Sequence, residues 1–274
     1  MSGTEPGDTN VTQSDHIHPT AIIEAGAKVD PSAKVGPFSI VGAEVVLGPR
    51  VELKSHVIVT GKTRIGEGTV VFPFSVLGEI PQDLKFKGEA SELVIGARNR
   101  IREHVTMNTG TQGGGGVTRV GDDGLFMAGC HIAHDARHGD RVIVVNSAAI
   151  AGHCVLEDEV IVGGLCGIHQ WVRIGRGAII GALSMVTADV MPHGLVQGAR
   201  GELDGLNLVG LKRRGVARAD ITALRAAFQM LAQGDGAFLD RARRHKDESE
   251  SAYVQDMVRF ITGGESDRGF LTPK

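Results

Sequence analysis

The sequence predicts an all-β solenoid, a parallel β-helix of hexapeptide repeats, followed by a small α-helical C-terminal domain. From Val120 to Val186 every sixth residue is apolar, with His138 as the one exception. The same spacing runs from Ile17 to Leu77 without a miss and returns between residues 95 and 107. A period of six fits neither a helix nor an alternating strand. It does fit short strands and turns that wind with three hexads to a coil.

Composition agrees with this fold and excludes several function classes. Glycine is abundant at 39 of 274 residues, since a chain that turns every six residues needs positive φ, and aromatic residues make up 4%. The formal net charge of −3 gives no sign of nucleic-acid binding. No apolar stretch approaches the roughly 20 residues of a membrane span, and residues 1–15 do not resemble a signal peptide. We therefore expect a cytoplasmic protein without stable membrane insertion.

Three regions are predicted along the chain. Residues 1–15 are expected to form a disordered tail, residues 16–197 the β-helix, and residues 198–274 the helical domain. Polar or glycine-rich loops at 78–92 and 109–119 interrupt the repeat. Such loops usually project from a corner and commonly carry function, although each could be a tolerated insertion.

The C-terminal region has a helical pattern. One stripe of residues 217–234 carries Ile221, Leu224, Phe228 and Leu231, and weaker helices are predicted near 237–246 and 251–262. These helices would cover the open end of the solenoid. The preceding segment LKRRG at 211–215 has three consecutive cations, which suit either a solvated surface or anion binding.

The three cysteines are predicted to be reduced core residues. Cys130, Cys154 and Cys166 occupy the small inward positions of their hexads. Cys130 and Cys166 are two coils apart, about 9 to 10 Å at the ~4.8 Å spacing of strands, which is too far for a disulfide. A metal-binding or nucleophilic role is the alternative.

Histidines are the best candidates for chemistry. The hexads at 132, 150 and 168 stack on one side and carry His134, His153 and His169. His134 is followed by Asp135, and both are expected on or near the outer surface. Imidazole is the commonest general base, and an adjacent carboxylate can orient it. The alternatives are a surface histidine without a role and a zinc site like that of a β-helical carbonic anhydrase.

Several motifs resemble one family of hexapeptide acyltransferases. They are QDLK at 82–85, RNRIRE at 98–103, HIAHDA at 131–136, AGH at 151–153, HQ at 169–170 and NLVGLKRRG at 207–215. Together they resemble the UDP-N-acetylglucosamine O-acyltransferases of lipid A biosynthesis. The match runs from about Ile17 through the first C-terminal helix, with the motifs in the same order.

The resemblance implies a left-handed β-helix, an exception to the usual handedness of crossovers. It also implies a homotrimer with active sites between subunits. The expected reaction transfers a 3-hydroxyacyl group from acyl carrier protein, where phosphopantetheine carries it, to the 3-position of UDP-N-acetylglucosamine. Neither a metal nor a further cofactor is expected.

The resemblance also implies roles for individual residues. His134 would be the general base, Asp135 would orient it, and the backbone N–H of Gly152 would stabilise the oxyanion. Arg213 and Arg214 would contact phosphate or the acidic carrier protein. The residues expected to hold the sugar nucleotide or the acyl chain are Gln82, Asp83, Lys85, His131, His153, His169, Gln170 and Asn207.

The chain departs from the family pattern at three positions. Familiar members have TIHRGT where this chain has TMNTGT, so Asn108 and Thr109 replace a histidine and an arginine. Val209 replaces a glutamate. The expected base is intact, but a UDP sugar with a 3-amino group becomes an alternative acceptor. The candidate functions are therefore O-acyl transfer, N-acyl transfer and a metal-dependent carbonic anhydrase-like reaction.

Overall fold

Strands of two residues, separated by turns of four, account for most of the chain between Ile22 and Val186. The computed structural model describes residues 16–233, 235–244, 249–264 and 268–273, so the predicted tail at 1–15 lies outside the described residues. Each strand pairs in parallel with the strand one coil later, usually 18 residues on, as in Ile22 with Ile40. The predicted β-helix is confirmed by three parallel sheets that form the sides of a prism.

The strands fall into three sheets, which we number in chain order. Sheet 1 contains Ile22–Ile23, Ile40–Val41, Ile58–Val59, Val76–Glu79, Thr106–Asn108, His131–Ile132, Ala149–Ile150, Gly167–Ile168 and Met185–Val186. Sheet 2 contains Lys28–Val29, Val46–Leu47, Lys62–Ile65, Glu92–Ile95, Val117–Val120, Arg137–His138, Val155–Leu156 and Arg173–Ile174. Sheet 3 contains Lys34–Val35, Glu52–Leu53, Val70–Val71, Arg100–Ile101, Leu125–Phe126, Ile143–Val144, Ile161–Val162, Ile179–Ile180, Gly194–Gln197 and Glu202–Leu206.

The core of the β-helix lies inside the prism and contains the predicted hexad residues from Val35 onward. In each two-residue strand the second residue points inward and the first points outward, as alternation along a strand requires. All three cysteines are free and buried there, as predicted. Burial raises the pKa of the Cys130 and Cys154 thiols to about 12, which makes them poor nucleophiles.

The corners are named by the sheets they join: 1–2, 2–3 and 3–1. Many turns contain a non-glycine residue with positive φ, such as Phe38 at 58° and His153 at 63°. The abundance of glycine therefore does not reflect a need for positive φ at every turn. Residues at equivalent turn positions lie one above another in columns along each corner, because successive coils stack in register.

Both interruptions of the repeat leave the prism at corner 1–2. The first loop runs from residue 80 to 91, between the strands Val76–Glu79 and Glu92–Ile95. The second is shorter than predicted, because the strand Val117–Val120 already pairs with Glu92–Ile95. It contains the 3₁₀ helix Gln112–Gly114.

The C-terminal region begins with a strand before it becomes helical. Glu202–Leu206 pairs antiparallel with Gly194–Gln197 and extends sheet 3 into the region predicted to be helical. Four helices follow: α1 Leu208–Arg213, α2 Arg218–Gln233, α3 Phe238–Arg244 and α4 Ala252–Thr262. The predicted helices correspond to α2, α3 and α4, whereas α1 was not predicted. Among the described residues, no helix is long and apolar enough to cross a membrane.

Candidate active site

A histidine and a carboxylate are paired at corner 1–2. Nδ1 of His134 lies 2.8 Å from Oδ2 of Asp135. An ionised carboxylate can only accept, so Nδ1 carries a proton, and in the neutral ring Nε2 keeps a free lone pair. This is the arrangement of a general base that is oriented by a carboxylate.

Asp135 is buried, contrary to the prediction that it lies near the surface. Its side chain is 0% exposed, whereas that of His134 is 13% exposed. Thr111 donates from its backbone N–H to Oδ1 at 2.9 Å and from its hydroxyl to Oδ2 at 2.6 Å. The backbone N–H of Asp135 donates to Thr118 Oγ1 at 2.7 Å. The second loop therefore holds the carboxylate in place.

The glycines of the second loop allow this close approach. A Cβ on Gly114 would lie 2.0 Å from Cγ of Asp135, and one on Gly110 would lie 2.8 Å from Oδ1. Any side chain at Gly114 would have to displace the carboxylate. This steric demand accounts for Gly110 and Gly114, so the second loop is part of the site and not merely a tolerated insertion.

Gly152 lies directly beside the imidazole of His134, one coil further along the prism. A Cβ at position 152 would lie 2.7 Å from Nε2 and 2.6 Å from Cε1 of His134. The absence of a side chain therefore leaves space at the basic nitrogen. Among the described residues, the backbone N–H of Gly152 has no acceptor. This N–H is therefore available to donate to a ligand.

His153 and Trp171 form an aromatic plate next to the dyad. Their rings stack with centroids 3.8 Å apart and planes 5° apart. Burial is the main cause that lowers the pKa of His153, and Asp135 opposes it from a distance of 3.7 Å. A neutral ring can pack on an indole and line a binding site without the cost of a buried charge.

Two adjoining cavities open beside this plate. The larger, of 690 Å³, is lined by Asp83, Lys85, Phe86, Lys87, Gly88, Glu89, Thr111, Gln112, Gly113, His153 and Trp171. The smaller, of 310 Å³, is lined by Gly113, Gly114, Asp135, Arg137, His153, Val155, Trp171 and Arg173. Thr111 and Trp171 were not predicted as site residues, although Trp171 comes 18 residues after His153 and therefore lies on the next coil.

The predicted binding residues are brought together in part. Asp83 and Lys85 join His153 at the larger cavity. Gln82 is exposed beside them, but it does not line that cavity. His131 points outward from sheet 1, where its Nδ1 lies 2.7 Å from Thr106 Oγ1 and burial lowers its pKa.

His169 does not join the other two histidines, contrary to the prediction that all three line one face. It comes one residue after its inward hexad residue, whereas His134 comes two after and His153 three after. His169 and Gln170 are both exposed, and neither lines a cavity beside the dyad.

Asn207, Arg213 and Arg214 lie in a different part of the protomer. Asn207 caps α1 by accepting from Gly210 N–H at 2.9 Å, and its amide donates to Gly177 O at 3.0 Å. Arg214 pairs with Glu159, 3.2 Å away at corner 2–3. Sheet 2 thus separates these residues from His134.

Two of the three residues that replace the usual family pattern have a structural role. The Asn108 amide donates to Ile80 O at 3.0 Å, and Thr109 Oγ1 accepts from the Ser91 hydroxyl at 2.9 Å. Asn108 and Thr109 are buried and secure both ends of the first loop. Val209, by contrast, is exposed on α1.

The dyad and His153 also meet the geometric requirement for a metal site. One ligand atom each from His134, Asp135 and His153 lies within 4.8 Å of the others. Both carboxylate oxygens of Asp135 already accept hydrogen bonds from Thr111, however, and Oδ2 is also bonded to His134. Three of the roughly four lone-pair sites of the carboxylate are thus already used within the protein, so a metal ion would have to compete with these hydrogen bonds.

Known proteins share both the sequence and the fold. Residues 189–271 match the family described as UDP N-acetylglucosamine O-acyltransferase, domain 2. The acyl-[acyl-carrier-protein]–UDP-N-acetylglucosamine O-acyltransferase of Paracoccus denitrificans is 67% identical over 205 residues, 74% of this chain and 77% of its own length. The protein of the same name from Rhizobium etli is 45% identical over 266 residues, 97% of each chain.

A solved structure gives the same result for the fold. The UDP-N-acetylglucosamine acyltransferase from Campylobacter jejuni superposes with a TM-score of 0.88 at 37% identity, over 94% of this chain and 100% of its own. The likeness spans the solenoid and the helical domain together. The predicted left-handed parallel β-helix with a small helical domain is therefore confirmed.

Proposed function

Because the chain belongs to the acyl-[acyl-carrier-protein]–UDP-N-acetylglucosamine O-acyltransferase family, we propose that it transfers a 3-hydroxyacyl group from acyl carrier protein to the 3-position of UDP-N-acetylglucosamine. The transfer would be the first step of lipid A biosynthesis. The observation that carries this proposal is the His134–Asp135 dyad, whose free Nε2 faces the space over Gly152. The donor needs no cofactor beyond the phosphopantetheine of its carrier.

The dyad supplies the proton transfers of the reaction. Nε2 of His134 takes the proton of the sugar 3-hydroxyl as the oxygen attacks the thioester carbonyl carbon. Asp135 stabilises the imidazolium that forms. The oxyanion faces the N–H of Gly152, the carbon–sulfur bond breaks, and the thiolate of phosphopantetheine takes the proton from His134. A positioned base contributes about 10² to 10⁴ in rate and one oxyanion donor about 10² to 10³.

The active form is a homotrimer, because the site needs two corners of the prism. His134 stands at corner 1–2, whereas Arg214 pairs with Glu159 at corner 2–3 of the same protomer. A contact between two different corners can be heterologous, and a heterologous contact whose rotation closes forms a ring. The smallest such ring has three members, which is the number of copies that we propose for this three-sided prism.

Exposed apolar surface supports this assembly. At corner 3–1, Phe38, Phe74, Leu165 and Leu183 are between 52% and 67% exposed. The outward hexad positions of sheet 1 contain no Lys, Arg, Asp or Glu: they are Ile22, Ile40, Ile58, Val76, Thr106, His131, Ala149, Gly167 and Met185. An apolar face of this kind marks an interface, here with two further copies of the chain.

We infer that the acceptor is the 3-hydroxyl sugar, because the relatives at 45% and 67% identity are named O-acyltransferases. Purified protein is incubated with 3-hydroxyacyl carrier protein and either UDP-N-acetylglucosamine or its 3-amino analogue. We expect a larger kcat/KM for the first and a product whose ester is cleaved by mild alkali. An alkali-stable amide formed at a higher kcat/KM would make the protein an N-acyltransferase. Loss of turnover after chelation and dialysis, restored by zinc, would support the metal alternative.

The cellular compartment is inferred from the substrates and from the cysteines. Three free buried thiols are typical of a reducing compartment, where disulfides are rare. Carrier-bound acyl groups and nucleotide sugars are made in the cytoplasm. The cytoplasm is therefore the proposed compartment.

A further inference from the structure

Three arginines project from the outward face of sheet 2 near the dyad. Arg64, Val94, Arg119, Arg137 and Val155 occupy the outward positions of five neighbouring strands and are in register. The three arginines, which we call the arginine column, are exposed. Within the described part of the chain, none of them forms an ion pair.

The arginine column is unfavourable for the isolated protein. Arg119 and Arg137 are direct register partners on adjacent strands, and like charges directly opposite each other destabilise a sheet. By contrast, Arg141 at corner 2–3 has a counter-charge, since it lies 3.3 Å from Glu159. The unpaired column is therefore suited to an anionic partner that comes from outside.

The arginine column ends at the active site. Arg137 lines the 310 Å³ cavity together with Asp135 and Trp171. Arg64 and Arg137 are three strands apart in sheet 2, which at ~4.8 Å per strand makes a basic stripe of about 14 Å. A small protein bound along this stripe would have its prosthetic arm at the mouth of the cavity.

We propose that the arginine column is the docking surface for the acidic acyl carrier protein, with the pantetheine arm entering the cavity past Arg137. This proposal rests on the proposed function. It commits to the carrier because charge complementarity over a stripe steers encounter between proteins, and because the carrier is the acidic protein substrate of the reaction. The basic segment of α1 is at corner 2–3, on the other side of sheet 2 from the dyad. It is available for contact with the phosphates of the UDP sugar.

The test is the double variant Arg64→Glu/Arg119→Glu, since neither residue lines a cavity beside the dyad. We expect the KM for 3-hydroxyacyl carrier protein to rise about tenfold at low salt and its salt dependence to flatten. The kcat and the KM for the UDP sugar should not change. With 3-hydroxyacyl-phosphopantetheine, a donor that lacks the carrier protein, all constants should equal those of the wild type. Arg200→Glu/Arg225→Glu is the matched control, with the same change of charge on exposed C-terminal residues.

Three outcomes would overturn the docking surface. They are an unchanged KM for the carrier thioester, an equal rise with 3-hydroxyacyl-phosphopantetheine, and a rise confined to Lys212→Glu/Arg213→Glu. Failure of the wild type to use any carrier thioester would instead overturn the proposed function. If the glutamate variant does not assemble, Arg64→Gln/Arg119→Gln should show a smaller rise in the same direction.

Discussion

Oδ2 of Asp135 accepts a hydrogen bond from His134 Nδ1 at 2.8 Å and another from the Thr111 hydroxyl at 2.6 Å. The base is thus held by a carboxylate that is itself held by a loop from another coil. Changes to the base, or to the residues that hold it, should therefore alter the rate of acyl transfer.

Removal of the base should abolish acyl transfer but leave the fold intact. In His134→Ala we expect kcat to fall by about 10² to 10⁴, the usual contribution of a positioned base. The side chain lies outside the prism, so the melting temperature should change little. Turnover near that of the wild type, with both substrates saturating, would rule out His134 as the base.

Loss of the Thr111 hydroxyl should impair positioning of the dyad. Thr111→Val removes a hydrogen bond to a charged group, about 1.5 to 3 kcal/mol, so kcat should fall roughly 10- to 100-fold with both KM values unchanged. Thr111→Ser should restore turnover, which a merely structural role for the methyl group would not explain. Thr63→Val is the control, since Thr63 is a buried threonine of sheet 2 that bonds to Thr60 O instead.

A methyl group on Gly152 should displace the base. Its Cβ would lie 2.6 Å from Cε1 of His134, closer than real contacts allow, so the ring must move. We expect Gly152→Ala to lose most of its kcat while the melting temperature stays near that of the wild type. Gly167→Ala is a suitable control, because a Cβ there meets nothing within 4 Å. Equal activities of the two variants would contradict the placement of Nε2.

His138 should make the protein sensitive to acid. It is a polar residue at an inward hexad position, neither ring nitrogen has a hydrogen-bond partner among the described residues, and burial lowers its pKa to about 4. Between pH 6.5 and 4 the unfolded chain binds a proton that the folded chain does not. The free energy of unfolding should therefore fall by about 1.4 kcal/mol per pH unit as the pH is lowered.

The His138→Leu variant should remove this contribution. Urea unfolding at fixed protein concentration should then show a shallower loss of stability between pH 6.5 and 4. His193, whose pKa burial also lowers to about 4, remains as a second contributor. A slope identical to that of the wild type would show that His138 is not buried in the uncharged form.

Mixed trimers should recover activity from two inactive parents. His134→Ala and Arg213→Glu alter different corners of the prism, so a site between subunits can combine an intact His134 with an intact Arg213. With random assembly, roughly a quarter of the sites would be intact, and turnover should recover to about that fraction. Separately purified trimers mixed without exchange are the control. If activity does not recover on coexpression, either both residues belong to a site within one subunit or they do not belong to a shared site.

The sequence alone determined the solenoid, because its signal is local and repeated. Each hexad needs an inward aliphatic residue, so the period shows directly which residues form the core, including Cys130 and Cys166. The amphipathic stripe of α2 was predictable for the same reason. The contact between residues adjacent in the chain, such as His134 and Asp135, could also be predicted from the sequence.

Tertiary structure decided which of these residues act together. Asp135 is buried because Thr111, 24 residues earlier, closes over it, and no local pattern encodes that contact. Trp171 stacks on His153 because coils repeat every 18 residues, whereas His169 is turned away by its place in the turn. Asn207 is engaged as a helix cap, and Arg214 lies at another corner. Period and composition specify which side chains face inward, but the corner at which a loop folds back depends on contacts between coils far apart in the chain.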